Sequence, residues 1–157
     1  MTEFTVTHRG TVYPWQCDHM GHMNVMWYVA KFDEASWQLL SWLALTRARF
    51  AHDGSGMAAA EQRIEYKHEL RAGDVVTIRS TVLEVKDKVI RMRHEMTNDA
   101  TGDLAAVTEI VGVHIEMTAR RACSLPSDVR ERAILMIKDD RGLNRNEPSG
   151  LLAGGCR

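Results

Sequence analysis

The sequence has few cysteines and no excess of charge of either sign, and each shortage excludes a class of protein. Its three cysteines are an odd number with no short spacing. This argues against the disulfide framework of a small secreted domain and against a four-cysteine zinc site. The 20 basic and 21 acidic residues give a formal net charge of −1. That balance offers no general attraction to nucleic acid.

Long apolar runs are also missing. The most apolar stretch is interrupted by Lys31, Asp33 and Glu34, so we expect that no segment spans a membrane. The first ten residues are polar and include Glu3, a composition that differs from that of a signal peptide. Together these features predict a cytoplasmic location.

The length and composition are those of one folded domain. A chain of 157 residues with 45% hydrophobic and 26% charged residues is globular and is too short for two ordinary domains. The last segment is polar or rich in glycine and has no apolar periodicity. We therefore expect one domain over residues 1–140 and a disordered tail over residues 141–157.

The hydrophobic periodicity changes along the chain between that of strands and that of helices. The central helix is predicted to begin after Asn24, a suitable N-cap, and to run for about six turns without proline or glycine. The predicted elements are, in chain order, a strand over 4–13, a helix over 25–47, a loop over 48–56, strands over 57–70, 75–86, 89–98 and 104–117, and a helix over 129–138.

This order predicts an α+β fold in which a five-stranded antiparallel sheet packs around one long helix, followed by a short C-terminal helix. The four later strands are joined by short turns, which predicts a meander. Two strands alternate clearly, and we expect their apolar faces to meet the helix. These faces are Ile90, Met92, His94 and Met96 on one strand, and Ala105, Val107, Val111, Val113, Ile115 and Met117 on the next.

The densest cluster of reactive side chains lies between the first strand and the helix. Asp18, two imidazoles and a thiol surround Gly21 just before the helix N-terminus. The first turn of a helix has free backbone N–H groups, and its dipole favours negative charge. An acyl-transfer enzyme needs such donors for the oxyanion that forms from a carbonyl.

Residues 13–24 resemble the hotdog-fold acyl-CoA thioesterases, and most closely the 4-hydroxybenzoyl-CoA thioesterase type. The Asp-x-x-Gly-His-x-Asn core consists of Asp18, Gly21, His22 and Asn24. The block over 63–74 resembles the second strand and turn of that family, and residues 124–126 with the following helix resemble its usual ending. The resemblance covers roughly residues 3 to 138.

The resemblance implies a catalytic carboxylate at Asp18 and an oxyanion donor at the backbone N–H near Val25. It also implies a homodimer or a dimer of dimers with active sites at the subunit interface, and an acyl-CoA substrate. No metal or redox cofactor is expected, since coenzyme A is part of the substrate. Gln16 stands where many relatives have an acidic residue. Further candidates are His22 and Asn24 for catalysis, and Trp27, Tyr28, His68, Arg91 and Arg93 for substrate binding.

Several alternatives stay open at this point. A hotdog hydratase or dehydratase needs a histidine and an acid acting together, and the spacing of Asp18 and His22 does not match that chemistry. A non-catalytic acyl-CoA-binding protein is the second alternative, because a fold alone does not fix a function. Asp18 can act as a general base or as a nucleophile. The acyl group can be aromatic, of medium length and apolar, or cationic.

Overall fold

The computed structural model describes residues 4–143. The strands in this part of the chain are β1 (Thr5–Thr11), β2 (Ser55–Tyr66), β3 (Val75–Val85), β4 (Val89–Asn98), β5 (Leu104–Glu116) and β6 (Arg121–Ala122). The helices are α1 (Val25–Trp42), α2 (Arg47–Asp53) and α3 (Ser127–Leu143), and a short 3₁₀ helix covers Pro14–Gln16. Residues 144–157 of the predicted tail lie outside the described residues.

The predicted α+β fold, with a five-stranded antiparallel sheet, one long helix and a C-terminal helix, is confirmed. The strand order is β1-β3-β4-β5-β2, and the two-residue β6 pairs with β5. The meander is correct for β3, β4 and β5 but wrong for β2, which pairs with β5 at the far edge. Residues 67–74 cross the end of the sheet because Leu70 is fully buried and its carbonyl accepts a hydrogen bond from Met23 N at 2.7 Å.

Helix α1 begins where the sequence predicts. The Asn24 side chain accepts a hydrogen bond from Met26 N at 3.1 Å and so caps the first turn. Its buried face includes Tyr28, Phe32 and Leu39, which recur at helical spacing and pack on the inner face of the sheet. Each such side chain contributes about 1.5–3 kcal/mol to the stability of the fold through its burial.

The end of α1 differs from the prediction. The helix ends at Trp42 rather than near residue 47, and Ala44 takes a left-handed φ of 66°. Leu43 and Leu45 on either side of this turn are 1% and 2% exposed, so burial of both leucines in the core offsets the strained backbone. Thr46 then caps α2, which occupies most of the stretch predicted as a loop.

The inner face predicted for β4 is confirmed, whereas the one predicted for β5 is wrong from Val107 onward, because Val107 pairs with Glu95 on the outer face. Thr108, Ile110 and His114 are buried against the helix side, while Val111 and Val113 lie half-buried on the outer face. The inner face is crowded at Gly112, where an added Cβ would lie 2.8 Å from the Met57 Cε atom. A side chain at position 112 would therefore have to displace the Met57 methyl group.

None of the helices within residues 4–143 has both the length and the apolar content needed to cross a membrane.

Candidate active site

The loop that precedes α1 is held in one conformation by its own backbone. Asp18 N donates to His22 O at 3.1 Å, and Gly21 N donates to Asp18 O at 3.0 Å. Gly21 has a φ of 81°, which favours glycine over residues with a Cβ. Asn24 N donates to Gln16 O at 2.9 Å and closes the loop at its base. The loop thereby presents Asp18 beside the first turn of the helix.

Both carboxylate oxygens of Asp18 accept a hydrogen bond. Met20 N donates to Oδ1 at 2.9 Å, and Asn24 Nδ2 donates to Oδ2 at 3.0 Å. The backbone N–H of Met20, followed by the Asn24 amide, lowers the pKa of the Asp18 carboxyl below its ordinary value. Asp18 is therefore an oriented and ionised carboxylate at neutral pH.

The helix N-terminus supplies a donor next to this carboxylate. Asn24 uses its Oδ1 to cap Met26 N and its Nδ2 to hold Asp18, so its amide has one fixed orientation. The N–H of Trp27 donates to Asn24 O at 3.0 Å. The N–H of Val25 has no hydrogen-bond acceptor among residues 4–143. It is free to stabilise a developing oxyanion.

A cavity of about 270 Å³ opens beside Val25, between the start of α1 and the segment that follows β2. Tyr28 and Tyr66 meet edge to face in its wall, with ring centroids 5.2 Å apart. Burial raises the pKa of Tyr28 to about 12, so this phenol is neutral. His22 Nε2 lies 3.6 Å from the Glu69 carboxylate, and both residues line the cavity.

The structure brings together some of the predicted site residues and separates others. His22, Val25, Tyr28 and His68 line the same cavity. Asp18 and Asn24 do not line it, but Asn24 lies between the lining residues Met23 and Val25 in sequence and holds the Asp18 carboxylate. Trp27 is half-buried and packs against the core. His68 Nδ1 donates to the Leu104 carbonyl at 3.0 Å.

Arg91 and Arg93 lie on the outer face of β4, away from this cavity. Arg91 pairs with Glu109 at 3.1 Å, and Arg93 pairs with Glu95 at 2.9 Å. Neither arginine lines the cavity beside Val25. Any contact that these two arginines make with coenzyme A would therefore lie outside the cavity beside Val25.

Sequence reasoning missed Tyr66 and Glu69 as members of the site. Both lie in the block over 63–74, which carried part of the family resemblance, but no periodicity or spacing singled them out. Their position depends on the crossing of residues 67–74 over the end of the sheet, which was not predicted. Within residues 4–143, no three His, Cys, Asp or Glu side chains lie close enough to hold a metal ion.

A comparison with protein families decides the class of this site. The profile of the Thioesterase-like superfamily matches residues 12–133, which include the loop, α1 and the whole cavity wall. The chain belongs to this superfamily. This thioesterase-like protein is therefore a thioester hydrolase with a hotdog fold, and acyl-CoA thioesters are the general class of its substrates.

Relatives of known activity are distant in sequence. A betainyl-CoA thioesterase of Pseudomonas aeruginosa is 22% identical over 154 residues, covering 98% of this chain and 97% of that protein. An L-carnitine dehydrogenase/betainyl-CoA thioesterase of Agrobacterium fabrum is 28% identical over 109 residues. That match covers 69% of the thioesterase-like chain and 22% of the larger protein.

Solved structures share the fold. A hypothetical protein of Staphylococcus aureus, determined in complex with CoA, superposes with a TM-score of 0.81 at 20% identity. The match covers 95% of this chain and 90% of that one.

Proposed function

We propose that this protein is an acyl-CoA thioesterase in which Asp18 carries out the chemistry. The observation that carries the proposal is the ionised Asp18 carboxylate, held by Met20 N and Asn24 Nδ2, beside the unpaired N–H of Val25. A thioester carbonyl in the adjoining cavity would meet a negative oxygen on one side and a hydrogen-bond donor on the other. Thioester cleavage needs this combination.

Two routes use this arrangement. In the first, Asp18 takes a proton from a water molecule as the water oxygen adds to the carbonyl carbon, and the tetrahedral intermediate then expels the CoA thiolate. In the second, an Asp18 oxygen adds to the carbonyl carbon and expels the thiolate, and water then hydrolyses the mixed anhydride. In both routes the Val25 N–H donates to the developing oxyanion. The thiolate is a good leaving group, so neither route needs a metal or a redox cofactor.

We further propose a cationic acyl group as the preferred substrate. The edge-to-face pair of Tyr28 and Tyr66 offers aromatic surface to the cavity, and the Glu69 carboxylate lies in the same wall. Aromatic rings and a carboxylate are the groups that recognise quaternary ammonium ions. The activity named for the two curated relatives, on betainyl-CoA, supports the same chemistry. The resemblance to the 4-hydroxybenzoyl-CoA type, by contrast, predicts an aromatic acyl group.

The test of the proposed function compares two acyl-CoA esters of one shape in a thiol-release assay. Betainyl-CoA carries a trimethylammonium group, and 3,3-dimethylbutyryl-CoA is its neutral isostere. We expect betainyl-CoA to be hydrolysed with a kcat/KM about tenfold higher or more, since a desolvated cation–π contact contributes roughly 1–2 kcal/mol. Tyr66→Leu should reduce this ratio by about fivefold or more while both esters are still hydrolysed.

Tyr13→Leu is the matched control, because Tyr13 stacks on Trp15 and does not line the cavity. Equal rates for the two esters would contradict the cationic acyl group but not the thioesterase. With a 2-enoyl-CoA as a third substrate, loss of the enoyl absorbance without thiol release would instead identify a hydratase. Ligand-dependent melting with neither signal would identify a binding protein.

We also propose that the functional unit is at least a homodimer that pairs through β2. Among residues 4–143 this strand bonds only to β5, which leaves its other edge open, and most of its residues are exposed. An apolar cavity of about 160 Å³ lies between β2 and α1, lined in part by Val29, Trp37 and Met57. Val29 and Trp37 are 39% and 47% exposed. A second copy would pair with the open edge and cover this apolar surface.

Val29→Glu tests this interface. We expect the wild-type protein to sediment as a dimer or larger at micromolar concentration. The new carboxylate is solvated in the monomer but unpaired in the interface, so the dissociation constant should rise about 100-fold or more. Leu135→Glu on α3 is the control, since Leu135 is 59% exposed and its helix packs on β3. A monomeric wild type, or an unchanged dimer of Val29→Glu, would contradict the proposal.

A further inference from the structure

Two arginines on the outer face of the sheet line a polar cavity that the proposed chemistry does not use. Arg9 on β1 and Arg79 on β3 face a cavity of about 340 Å³, which the turn between β4 and β5 closes. In the part of the chain that the structure describes, neither guanidinium lies within 4.0 Å of a carboxylate. Arg91 and Arg93 on the same face differ, because glutamates pair with both. Arg9 and Arg79 therefore have unused donors.

The acidic groups near this cavity are already engaged by other residues. Asp99 lines the cavity, but its Oδ2 accepts a hydrogen bond from Thr77 Oγ1 at 2.8 Å. Glu95 stands opposite Arg79 in the strand register, and it pairs with Arg93 at 2.9 Å. Two guanidiniums and one carboxylate in the wall leave the cavity with an excess of positive charge, which suits an anion.

A third cavity lies between this cavity and the candidate active site, at the end of the sheet. This third cavity, of about 290 Å³, shares His68 and Glu69 with the active-site cavity. At its other end it shares Asn98 with the cavity of Arg9 and Arg79. Shared lining residues show that the three cavities adjoin one another in a row, which we call the groove. The groove runs from the Val25 N–H, past the crossing segment over 67–74, to the outer face.

We infer that Arg9 and Arg79 bind the phosphate groups of coenzyme A, with the pantetheine arm lying in the groove past His68 and Asn98. The inference rests on the proposed thioesterase and adds to it the place of the nucleotide. A coenzyme A ester has its reactive carbonyl at one end and its phosphates at the other, separated by a flexible and largely neutral arm. The groove has the same order of features. Guanidinium groups bind phosphate through paired, charge-assisted hydrogen bonds.

The R9A/R79A double variant tests this assignment with two substrates that share one acyl group. For the coenzyme A ester, we expect KM to rise about 10- to 100-fold with kcat nearly unchanged, since each lost contact is a hydrogen bond between charged groups. For the ester of N-acetylcysteamine, which has no phosphates, kcat/KM should stay within twofold of the wild-type value. The R91A/R93A variant tests the alternative phosphate site predicted for Arg91 and Arg93, and it should leave the KM of the coenzyme A ester within twofold if Arg9 and Arg79 bind the phosphates.

Binding of coenzyme A itself, measured by calorimetry, keeps this test independent of hydrolysis. The wild-type Kd should rise with salt, and the Kd of the R9A/R79A variant should be about 10- to 100-fold weaker and less dependent on salt. A variant that binds coenzyme A as the wild type does would overturn the inference, as would a loss confined to R91A/R93A. Absence of thiol release from every acyl-CoA would overturn the proposed function, while the calorimetry would still report on the arginines.

Discussion

Replacement of Asp18 by Asn should lower kcat by about 10² to 10⁴, the range for loss of a positioned acid–base group. The amide keeps the size of the carboxylate but can neither take a proton nor attack a carbonyl. Binding of coenzyme A should change little, because the groove and the helix N-terminus are intact. The measurement is thiol release from the preferred acyl-CoA, together with calorimetry of coenzyme A and a melting curve.

A small loss of stability should accompany the Asp18→Asn change. Asp18 accepts from both Met20 N and Asn24 Nδ2, and an amide has only one oxygen to offer. One hydrogen bond is lost, at a cost of about 1 kcal/mol or a few degrees in Tm. Asp74→Asn is the matched control, because the Asp74 carboxylate also accepts from a backbone N–H, that of Arg71 at 2.7 Å. Near-normal kcat in a folded Asp18→Asn variant would reject Asp18 as the reacting group.

Wild-type activity should also persist on the acidic side of neutrality. The pKa of Asp18 lies below its ordinary value, so the carboxylate stays ionised until the pH falls below the usual carboxyl range. Above the carboxyl range, the loss of stability that we expect on acidification comes from a buried histidine in the core.

The protein should lose about 3 kcal/mol of its free energy of unfolding between pH 6.5 and pH 4 through His94 alone. Burial lowers the pKa of this fully buried imidazole from 6.5 to about 4. In that window the unfolded chain binds a proton that the folded protein does not bind, so stability falls as the pH falls. Both nitrogens of the neutral imidazole form hydrogen bonds with serine hydroxyls, Nδ1 with Ser80 and Nε2 with Ser36.

Denaturant titrations at several pH values measure this effect. Carboxylates with lowered pKa values, such as Asp53 and Asp128, also destabilise the fold on protonation, so the quantity to compare is the difference between variants. His94→Gln should be less stable at pH 7 but should lose less stability on acidification than the wild type. His19→Gln, which removes an exposed histidine, should keep the wild-type dependence. Parallel curves for wild type and His94→Gln would contradict the assignment.

Local signals predicted those parts of the fold that local interactions control. Asn24 was expected to cap α1 because its side chain can accept from the first turn, and the hydrogen bond to Met26 N is present. The alternation of Ile90, Met92 and His94 also set the inner face of β4 correctly. The site loop was found for a similar reason, since its motif is continuous in sequence and precedes a helix.

Long-range packing explains what the sequence did not predict. No glycine or proline marks the end of α1, where burial of Leu43 and Leu45 favours a turn at Ala44. On β5 the more apolar face was expected to point inward, but the register with β4 places Thr108, Ile110 and Gly112 on the inner face, opposite His94, Met92 and Ile90. Tyr66 and Glu69 reach the site only because β2 pairs with β5 rather than β3.

The Asn24 amide joins two functions in one side chain, because one end caps α1 and the other holds the Asp18 carboxylate. Fraying of the first helical turn would release the carboxylate and displace the Val25 N–H in the same event. A substitution at position 24 is therefore expected to change the order of the helix start and the turnover of the enzyme together. A residue that only caps the helix would leave the Asp18 carboxylate without its side-chain donor. A residue that only donates to the carboxylate would leave the first turn of α1 without its cap.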